Sequence, residues 1–448
     1  MENFIMVQRV ERTRIDRSHP NWEACHILCS NSRKLGNCAT YILRHNVFDN
    51  RPPLSRKELD DELKKDYPDD YKSMPSAASA QRQGQVVAKQ FKSFAKAKEE
   101  YGKHPEKFMG KPKLPGYKKK YRAFYVGRNG YVIKNGLLTI TGGEQIGFHP
   151  LPVRCCENQP FNARAEEAVC GDLRIIPMGN CFMMEVTYRK QETTAKLDYD
   201  QAVCIDLGIN NFATLVSTKP GIKPALIKGG VLKSLNQRYN KQVAKLRAKN
   251  QYAHIRVKGD RRSRQINDML HKMSRSIISF CVEHQLCTIV IGYNRYWKQE
   301  INLGRRNNQN FVMLPHSRFI DMITYKAEEQ GIKVVAREES YTSKASSLDF
   351  DPIPTYGDNQ EKQVFSGRRI KRGLYQAKDG RLINADINGA VNIGRKEFGD
   401  EWFRQLLELD GGVMDTPAVV RELHQCFSLG ELLKTGERPR ETSHVSAR

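Results

Sequence analysis

No two cysteines of this chain stand in a Cys-x-x-Cys pair, and no run of eighteen apolar residues occurs in its 448 residues. The first absence argues against a thiolate zinc knuckle. With an odd count of eleven cysteines (Cys25, Cys29, Cys38, Cys155, Cys156, Cys170, Cys181, Cys204, Cys281, Cys287 and Cys426) it also argues against a disulfide framework. The chain is expected to have no disulfide partner and to suit a reducing cytoplasm. The second absence argues against a membrane-spanning helix, and the opening MENFIMVQRVERTRID lacks the apolar stretch of a signal peptide. Acidic residues are also in short supply: 50 Asp and Glu face 74 Lys and Arg, a formal charge of +24. A surplus that large repels itself unless a polyanion is bound, so nucleic acid is the expected partner. Cys25, His26 and Cys29 suggest a metal clip, but no second pair with ligand spacing follows, and they read as ordinary core or surface residues.

Charged residues at 28% and hydrophobic residues at 39% describe a globular chain with room for two or three domains. A short strand at 4–10 precedes a helical stretch from about Trp22 to Tyr101, interrupted at Pro52–Pro53, Pro68 and Pro75. Ser76 is placed to cap a helix whose Ala80, Val87, Phe91 and Phe94 recur at helical spacing. Residues 107–122 are loop-like and densely basic. Short alternating runs at 124–126, 131–133, 137–141, 173–177 and 182–188, separated by Gly and Asn turns, predict a small antiparallel barrel. Beyond a polar linker, the apolar strands QAVCID, FATLV, CTIVIG and KVVA alternate with long helical stretches, an α/β pattern. Residues 228–275 carry fourteen Lys and Arg against only Asp260 and Asp268. Internal pairs cannot balance that, so a surface that tracks phosphates is expected.

The sharpest local signal is VCIDLGINN (203–211). An apolar strand ends in Asp206, and Gly208 lets the chain turn beside it before a second strand. Such an acid at the mouth of a sheet suits a metal-ion nuclease, although a strand-ending Asp-x-Gly is common by itself. The second signal is INADINGAVNIGRK (383–396). Asp386 stands at the start of a helix, where an Asp is by default an N-cap. A helix packed on the sheet would also point it toward Asp206.

These two strings resemble the first and third RuvC motifs of TnpB proteins, the transposon-encoded relatives of type V CRISPR effectors and Fanzor proteins. REESYTSKASSLD (337–349), residues 93–118 and residues 315–335 resemble further segments of that family in the same order, over roughly residues 70–396. The resemblance implies an α/β RNase H-like RuvC nuclease domain, a β-barrel wedge domain and an inserted helical recognition domain. It divides the chain into a first wedge strand (1–18), helical recognition domain (19–105), wedge (106–195), first part of RuvC (196–345), degenerate zinc-ribbon-like insert (346–380) and RuvC end with tail (381–448).

Two departures stand out. The second RuvC carboxylate is expected at the end of the fourth strand, where this chain has Gly292; the resemblance to variants with a relocated glutamate points to Glu339, with Glu338 as the alternate. Adjacent acids on an extended chain cannot both face one site. The family's four zinc-ligand positions fall on Ser346, Asp349, Gln376 and Asp379, so no zinc is expected and the insert must be held by packing and loop hydrogen bonds or be mobile.

What the resemblance implies is an RNA-guided DNA endonuclease. A guide RNA from the transposon end would direct double-strand cleavage of a target DNA beside a short adjacent motif. Asp206, Glu339 and Asp386 would hold two Mg²⁺ ions about 4 Å apart for in-line hydrolysis. Candidate nucleic-acid contacts are Lys111, Lys113, Lys118, Lys119, Lys120, Arg122, Arg261, Arg262, Arg264, Arg368, Arg369, Lys371 and Arg372. A guide-bound protein that no longer cuts, an RNase H-like transposase and a junction resolvase are the rival readings.

Overall fold

The computed structural model describes residues 4–155, 170–193, 198–293, 314–355, 363–410 and 417–420. Cys156, Cys426, part of the expected linker and most of the tail lie outside them. The chain divides into two compact units, Met6–Gln191 and Glu192–Arg448 with Met1–Ile5.

In the first unit, strand β1 (Phe4–Ile15) leads into helices α1 (Trp22–Phe48), α2 (Arg56–Asp66), α3 (Pro68–Lys72) and α4 (Ala77–Lys103). The breaks fall where the prolines stand. Pro68 occupies the first turn of α3, where its missing N–H costs nothing, and Ser55 and Ser76 each close a capping box on α2 and α4. Six short strands follow: β2 (Phe124–Val126), β3 (Tyr131–Lys134), β4 (Leu137–Ile140), β5 (Leu151–Pro152), β6 (Cys170–Pro177) and β7 (Phe182–Thr193). They form two sheets, β1-β7-β6-β2, antiparallel from β7 to β2, and antiparallel β3-β4-β5, where the sequence reads one small barrel. The turn at Arg128–Gly130 separates the ladders. Helices and sheets share one buried core, from Leu28 and Val87 to Phe124, Leu138 and Val186.

The expectation of a chain without disulfides needs correcting at one position. Cys170, at the start of β6, is disulfide-bonded. Cys25, Cys29, Cys38, Cys155, Cys181, Cys204, Cys281 and Cys287 are not disulfide-bonded. An odd count excludes complete pairing, not a single bridge. Burial pushes Cys25 and Cys29 to the thiol form, so they join the core rather than a metal clip.

The second unit is built on a six-stranded mixed sheet. Its strands are β8 (Asp198–Asp206), β9 (Asn211–Ser217), β10 (Ala225–Lys228), β11 (Leu286–Gly292), β12 (Lys333–Arg337) and β16 (Ala418–Val420), in the order β12-β11-β8-β9-β10-β16. β8, β11 and β12 run parallel, and β9 is antiparallel to both its neighbours. Helices α5 (Gly230–Ala248), α6 (Tyr252–Glu283) and α7 (His316–Glu329) precede or link strands; β13 (Arg368–Lys371), β14 (Leu374–Gln376) and β15 (Leu382–Asn384) make a small antiparallel sheet; α8 (Ala385–Phe398) and α9 (Glu401–Asp410) follow.

Burial on both faces explains why the central strands read as continuous apolar runs. Val203, Ile205, Ile289 and Ile291 pack with Leu270, Ile277 and Phe319 of α6 and α7. The alternate residues Cys204 and Val290 meet Ile393 of α8 on the opposite face. Among the described residues, no helix is long and apolar enough to cross a membrane.

Candidate active site

The register of the parallel strands sets the site. Ile205 pairs with Ile291, and Gly292 pairs with Arg337, so Asp206, Gly292 and Arg337 reach one edge of the sheet at the same level. Asp206 ends β8, and Glu338 and Glu339 follow β12 directly.

Gly292 is where the relocation becomes physical. A Cβ added there would stand 3.0 Å from Glu339 Oε2 and 2.4 Å from Ile393 Cδ1. The Glu339 carboxylate therefore fills the space that a side chain on β11 would take. Glu338 goes the other way. Its Oε2 accepts from Lys396 Nζ at 2.7 Å and its Oε1 from the Ser340 amide at 2.7 Å.

Asp386 comes from α8, but not as its cap. Asn384 holds that position, its Oδ1 accepting from the amides of Asp386 (2.9 Å) and Ile387 (3.3 Å). The default reading of Asp386 as N-cap is thereby corrected, and its carboxylate is left for other work. The helix lies close on the sheet because Gly389 has no side chain: a Cβ there would come within 2.9 Å of Asp206 Oδ2.

The three carboxylates feel one another. Burial first, then the charge of Asp386, pushes Asp206 up to about 7, with Arg369 opposing. Burial, then Asp206 and Glu338, pushes Glu339 up to about 8, with Lys396 opposing. Both values lie far above the ordinary carboxylate range. The side chains do not stand as a converged ligand set: among the described residues no group of three or more acids, His or Cys is gathered to hold an ion. Asp386 is drawn aside, its Oδ2 accepting from Asn211 Nδ2 at 2.6 Å and its Oδ1 from Arg369 Nη2 at 3.3 Å. The donors are hard carboxylate oxygens, half-buried and like-charged, the chemistry that suits Mg²⁺.

This coupling has a sign. Folded Asp206 and Glu339 keep protons that the unfolded chain releases near pH 4, so ν of the native state exceeds that of the unfolded state. Stability of the metal-free protein should fall as pH rises from about 4 to about 8. Asp206→Asn, which removes one of the repelling charges, should melt higher than the parent at pH 8 in EDTA and show a shallower pH slope. Thermal melts between pH 5 and 8.5 check this; an Asn variant that melts lower at pH 8 contradicts it.

Beside the acids lies a cleft of about 560 Å³, lined by Asn211, Lys228, Arg369, Arg372, Asn384 and Asp386 among others. Lys228 Nζ donates to Asn211 Oδ1 at 2.7 Å. The sequence reading missed Asn211 and Lys228, although Asn211 stands inside VCIDLGINN and Lys228 opens the basic stretch. Of the predicted nucleic-acid contacts, Arg368, Arg369, Lys371 and Arg372 are exposed on and beside β13, as are Lys111, Lys113, Lys118, Lys119 and Lys120 in their loop and Arg261 on α6. Arg264 is half-buried. Arg262 is partly engaged internally, with Nε on Asn236 Oδ1 at 2.7 Å and its guanidinium over the Tyr239 ring.

Arg122 must be withdrawn as a surface contact. It is 6% exposed, and its guanidinium donates to Thr40 Oγ1 (3.3 Å) and Gln90 Oε1 (3.4 Å), joining α1 to α4. Position in a basic run did not reveal that this residue points inward.

The four positions that the resemblance assigns to zinc ligands make hydrogen bonds here. Ser346 Oγ donates to Asp349 Oδ2 at 2.6 Å, and the Lys378 amide donates to the same oxygen at 2.9 Å. Asp379 Oδ2 accepts from Arg381 Nε at 2.6 Å, and Arg381 Nη2 reaches the Leu348 carbonyl at 3.2 Å. Gln376 ends β14, paired with Arg368 and Leu382.

The family OrfB_IS605, described as "Probable transposase", matches residues 185–298, and "Cas12f1-like, TNB domain" matches residues 316–393. "CRISPR-associated endodeoxyribonuclease Cas12f2" of Micrarchaeota archaeon (strain CG1_02_47_40) is 27% identical over 233 residues, 49% of this chain and 41% of that protein. "CRISPR-associated endodeoxyribonuclease Cas12f1" of Sulfoacidibacillus thermotolerans is 26% identical over 231 residues, 48% of this chain and 50% of that protein. The matched stretch spans half or less of the length of each of these relatives. Among solved structures, that of a Cas12f1-sgRNA-target DNA complex is similar at a TM-score of 0.49 and 12% identity, covering 84% of this chain and 83% of that one.

Proposed function

We propose, on the premise that this chain is a member of the TnpB and type V effector family, that it is an RNA-guided DNA endonuclease with a Mg²⁺-dependent RuvC centre. One observation carries the reading: Asp206 ends the central strand, the Gly389 face of the Asp386 helix rests on its carboxylate, and Glu339 fills the gap at Gly292. Three acids from three elements are thus brought to one sheet edge.

Asp206, Glu339 and Asp386 are the residues that would hold Mg²⁺. Bound there, it would supply an activated water and charge stabilisation at the leaving 3′-oxygen. Asp386 must leave Arg369 to join the other two acids, which frees the guanidinium for a DNA phosphate in the adjoining cleft. Asn211 holds Asp386 from the β9 side, and Lys228 holds Asn211. Asp206 and Glu339 are half-buried at the sheet end, open enough on one side to meet an ion.

Sequence choice would rest on base pairing between guide and target, with the protein reading shape and a short adjacent motif. The strand-rich segment at 106–195, with 1–18, would grip the guide RNA, and the helices at 19–105 would line the heteroduplex. A second reading, a guide-bound protein that does not cut, draws on Gly292 alone. The Glu339 carboxylate in that gap favours cutting.

The protein should co-purify with an RNA far longer than its guide segment, because the +24 charge has to be neutralised. Sequencing of the bound RNA tests this. A preparation free of nucleic acid, yet stable and fully active on DNA, would contradict it.

A further inference from the structure

Two adjacent acids follow β12, and something must decide which of them faces Asp206. We infer that Lys396 makes that choice: it is a positioning residue that holds Glu338 out and so presents Glu339 to the centre, a role that presupposes the Asp206–Glu339–Asp386 site proposed above.

Lys396 lies nearly three turns beyond Asp386 on α8, and its side chain is only 9% exposed. Its ammonium has three donors, and three acceptors surround it. These are Glu338 Oε2 at 2.7 Å, the Ser340 carbonyl at 2.9 Å and the Pro354 carbonyl at 3.2 Å. Glu338 is fixed from its other oxygen by the Ser340 amide. Along an extended backbone neighbouring side chains point apart, so a Glu338 clamped to α8 leaves Glu339 to turn to the Gly292 gap.

Lys396 does not act alone. Asn388, Asn392 and Lys396 recur every four residues and so share one face of α8. Asn392 Nδ2 donates to the carbonyls of Thr342 (2.8 Å) and Ala345 (2.7 Å). Asn388 Nδ2 donates to Ala345 O at 2.8 Å, while its Oδ1 accepts from the Ser347 amide at 2.9 Å. The chain from Glu338 to Ser347 is therefore pinned along the same helix that delivers Asp386. Thr342 closes the turn, its Oγ1 donating to the Glu339 carbonyl at 2.8 Å. Both asparagines are fully buried, so they stabilise the segment generally, whereas Lys396 is the member that touches Glu338.

The test uses the full-length protein with its bound RNA and compares Lys396→Met, Glu338→Ala, the double variant and Asp206→Ala. Mn²⁺ binding is read by electron paramagnetic resonance, and cutting is measured over a Mg²⁺ series. Groups that orient metal ligands are worth about 10–100-fold in metal affinity. Lys396→Met should weaken Mn²⁺ binding and raise the Mg²⁺ needed for half-maximal cutting by at least about tenfold, with cutting recovered at saturating Mg²⁺ and target binding unchanged. Glu338→Ala should move both readouts the same way, and the double variant should be no worse than the poorer single one, because the two residues act as a unit. Mn²⁺ binding by Lys396→Met equal to the parent's overturns the inference. So does a loss of target binding in step with metal binding, which would mark Lys396 as general support. If Asp206→Ala still binds Mn²⁺ and cuts, the reading of the centre fails instead, whatever Lys396 does.

Discussion

Cutting by this protein should stop completely in EDTA and return with Mg²⁺, while elemental analysis of the same preparation finds zinc well below one ion per chain. Both halves follow from the donors present. Asp206, Glu339 and Asp386 offer only carboxylate oxygens, and desolvation followed by the charge of neighbouring acids raises Asp206 to about 7 and Glu339 to about 8. A hard divalent cation relieves that repulsion, and its removal takes away the means of activating water. At the four positions that the resemblance assigns to zinc ligands, Ser346 donates to Asp349, Asp379 accepts from Arg381, and Gln376 is paired through its backbone in the β14 ladder. Asp351 reinforces them by accepting from the Ser346 and Ser366 amides at 2.8 and 3.1 Å. No cysteine stands between residues 346 and 380, so a zinc ion would find no thiolate donor there. A stoichiometric zinc ion bound between residues 346 and 380 would contradict this account.

The second large effect concerns the adjacent glutamates. Asp206→Ala, Asp386→Ala and Glu339→Ala should each reduce cutting on the order of a thousandfold, since each loses several kcal/mol of charge stabilisation and about 1.4 kcal/mol is a factor of ten. Binding of guide and target should survive, because these residues are proposed to hold metal rather than phosphate. Glu338→Ala should stay within a few-fold of the parent at saturating Mg²⁺, an order-of-magnitude expectation from the lesser weight of groups that only orient ligands. The asymmetry is visible in the hydrogen bonds: Glu338 is spent on Lys396 and Ser340, while Glu339 Oε2 occupies the space beside Gly292. Placing a side chain at Gly292 would press on Ile393, which is fully buried, so the fourth strand is not a free alternative.

Much of the second unit was legible from the sequence because its signals are local. Apolar runs ending in Asp206 and Gly292, and DINGAVNI opening a helix, announce strand ends and a helix start by composition alone. β10, β16 and α9 were not read, since three- and four-residue strands carry little periodicity and the tail pattern is mixed. The site was legible as a set of acids but not as an arrangement. Whether Asp386 caps its helix depends on Asn384 two residues earlier, and which glutamate turns inward depends on Lys396, more than fifty residues away in the chain. Arg122 shows the same limit from the other side: a basic run predicts a surface, but packing between α1 and α4 turns one of its members inward. The single bridge at Cys170 likewise depends on spatial neighbours that a cysteine count does not contain.

The central claim is most directly tested by cleavage of a guide-matched and a mismatched DNA by the purified protein–RNA complex at saturating Mg²⁺, with the parent, Glu339→Ala and Glu338→Ala run side by side. The account predicts that the parent and Glu338→Ala cut the matched DNA only, and that Glu339→Ala binds it without cutting. A Glu339→Ala variant that cuts like the parent, or a parent that binds the matched DNA and leaves it intact, would contradict it.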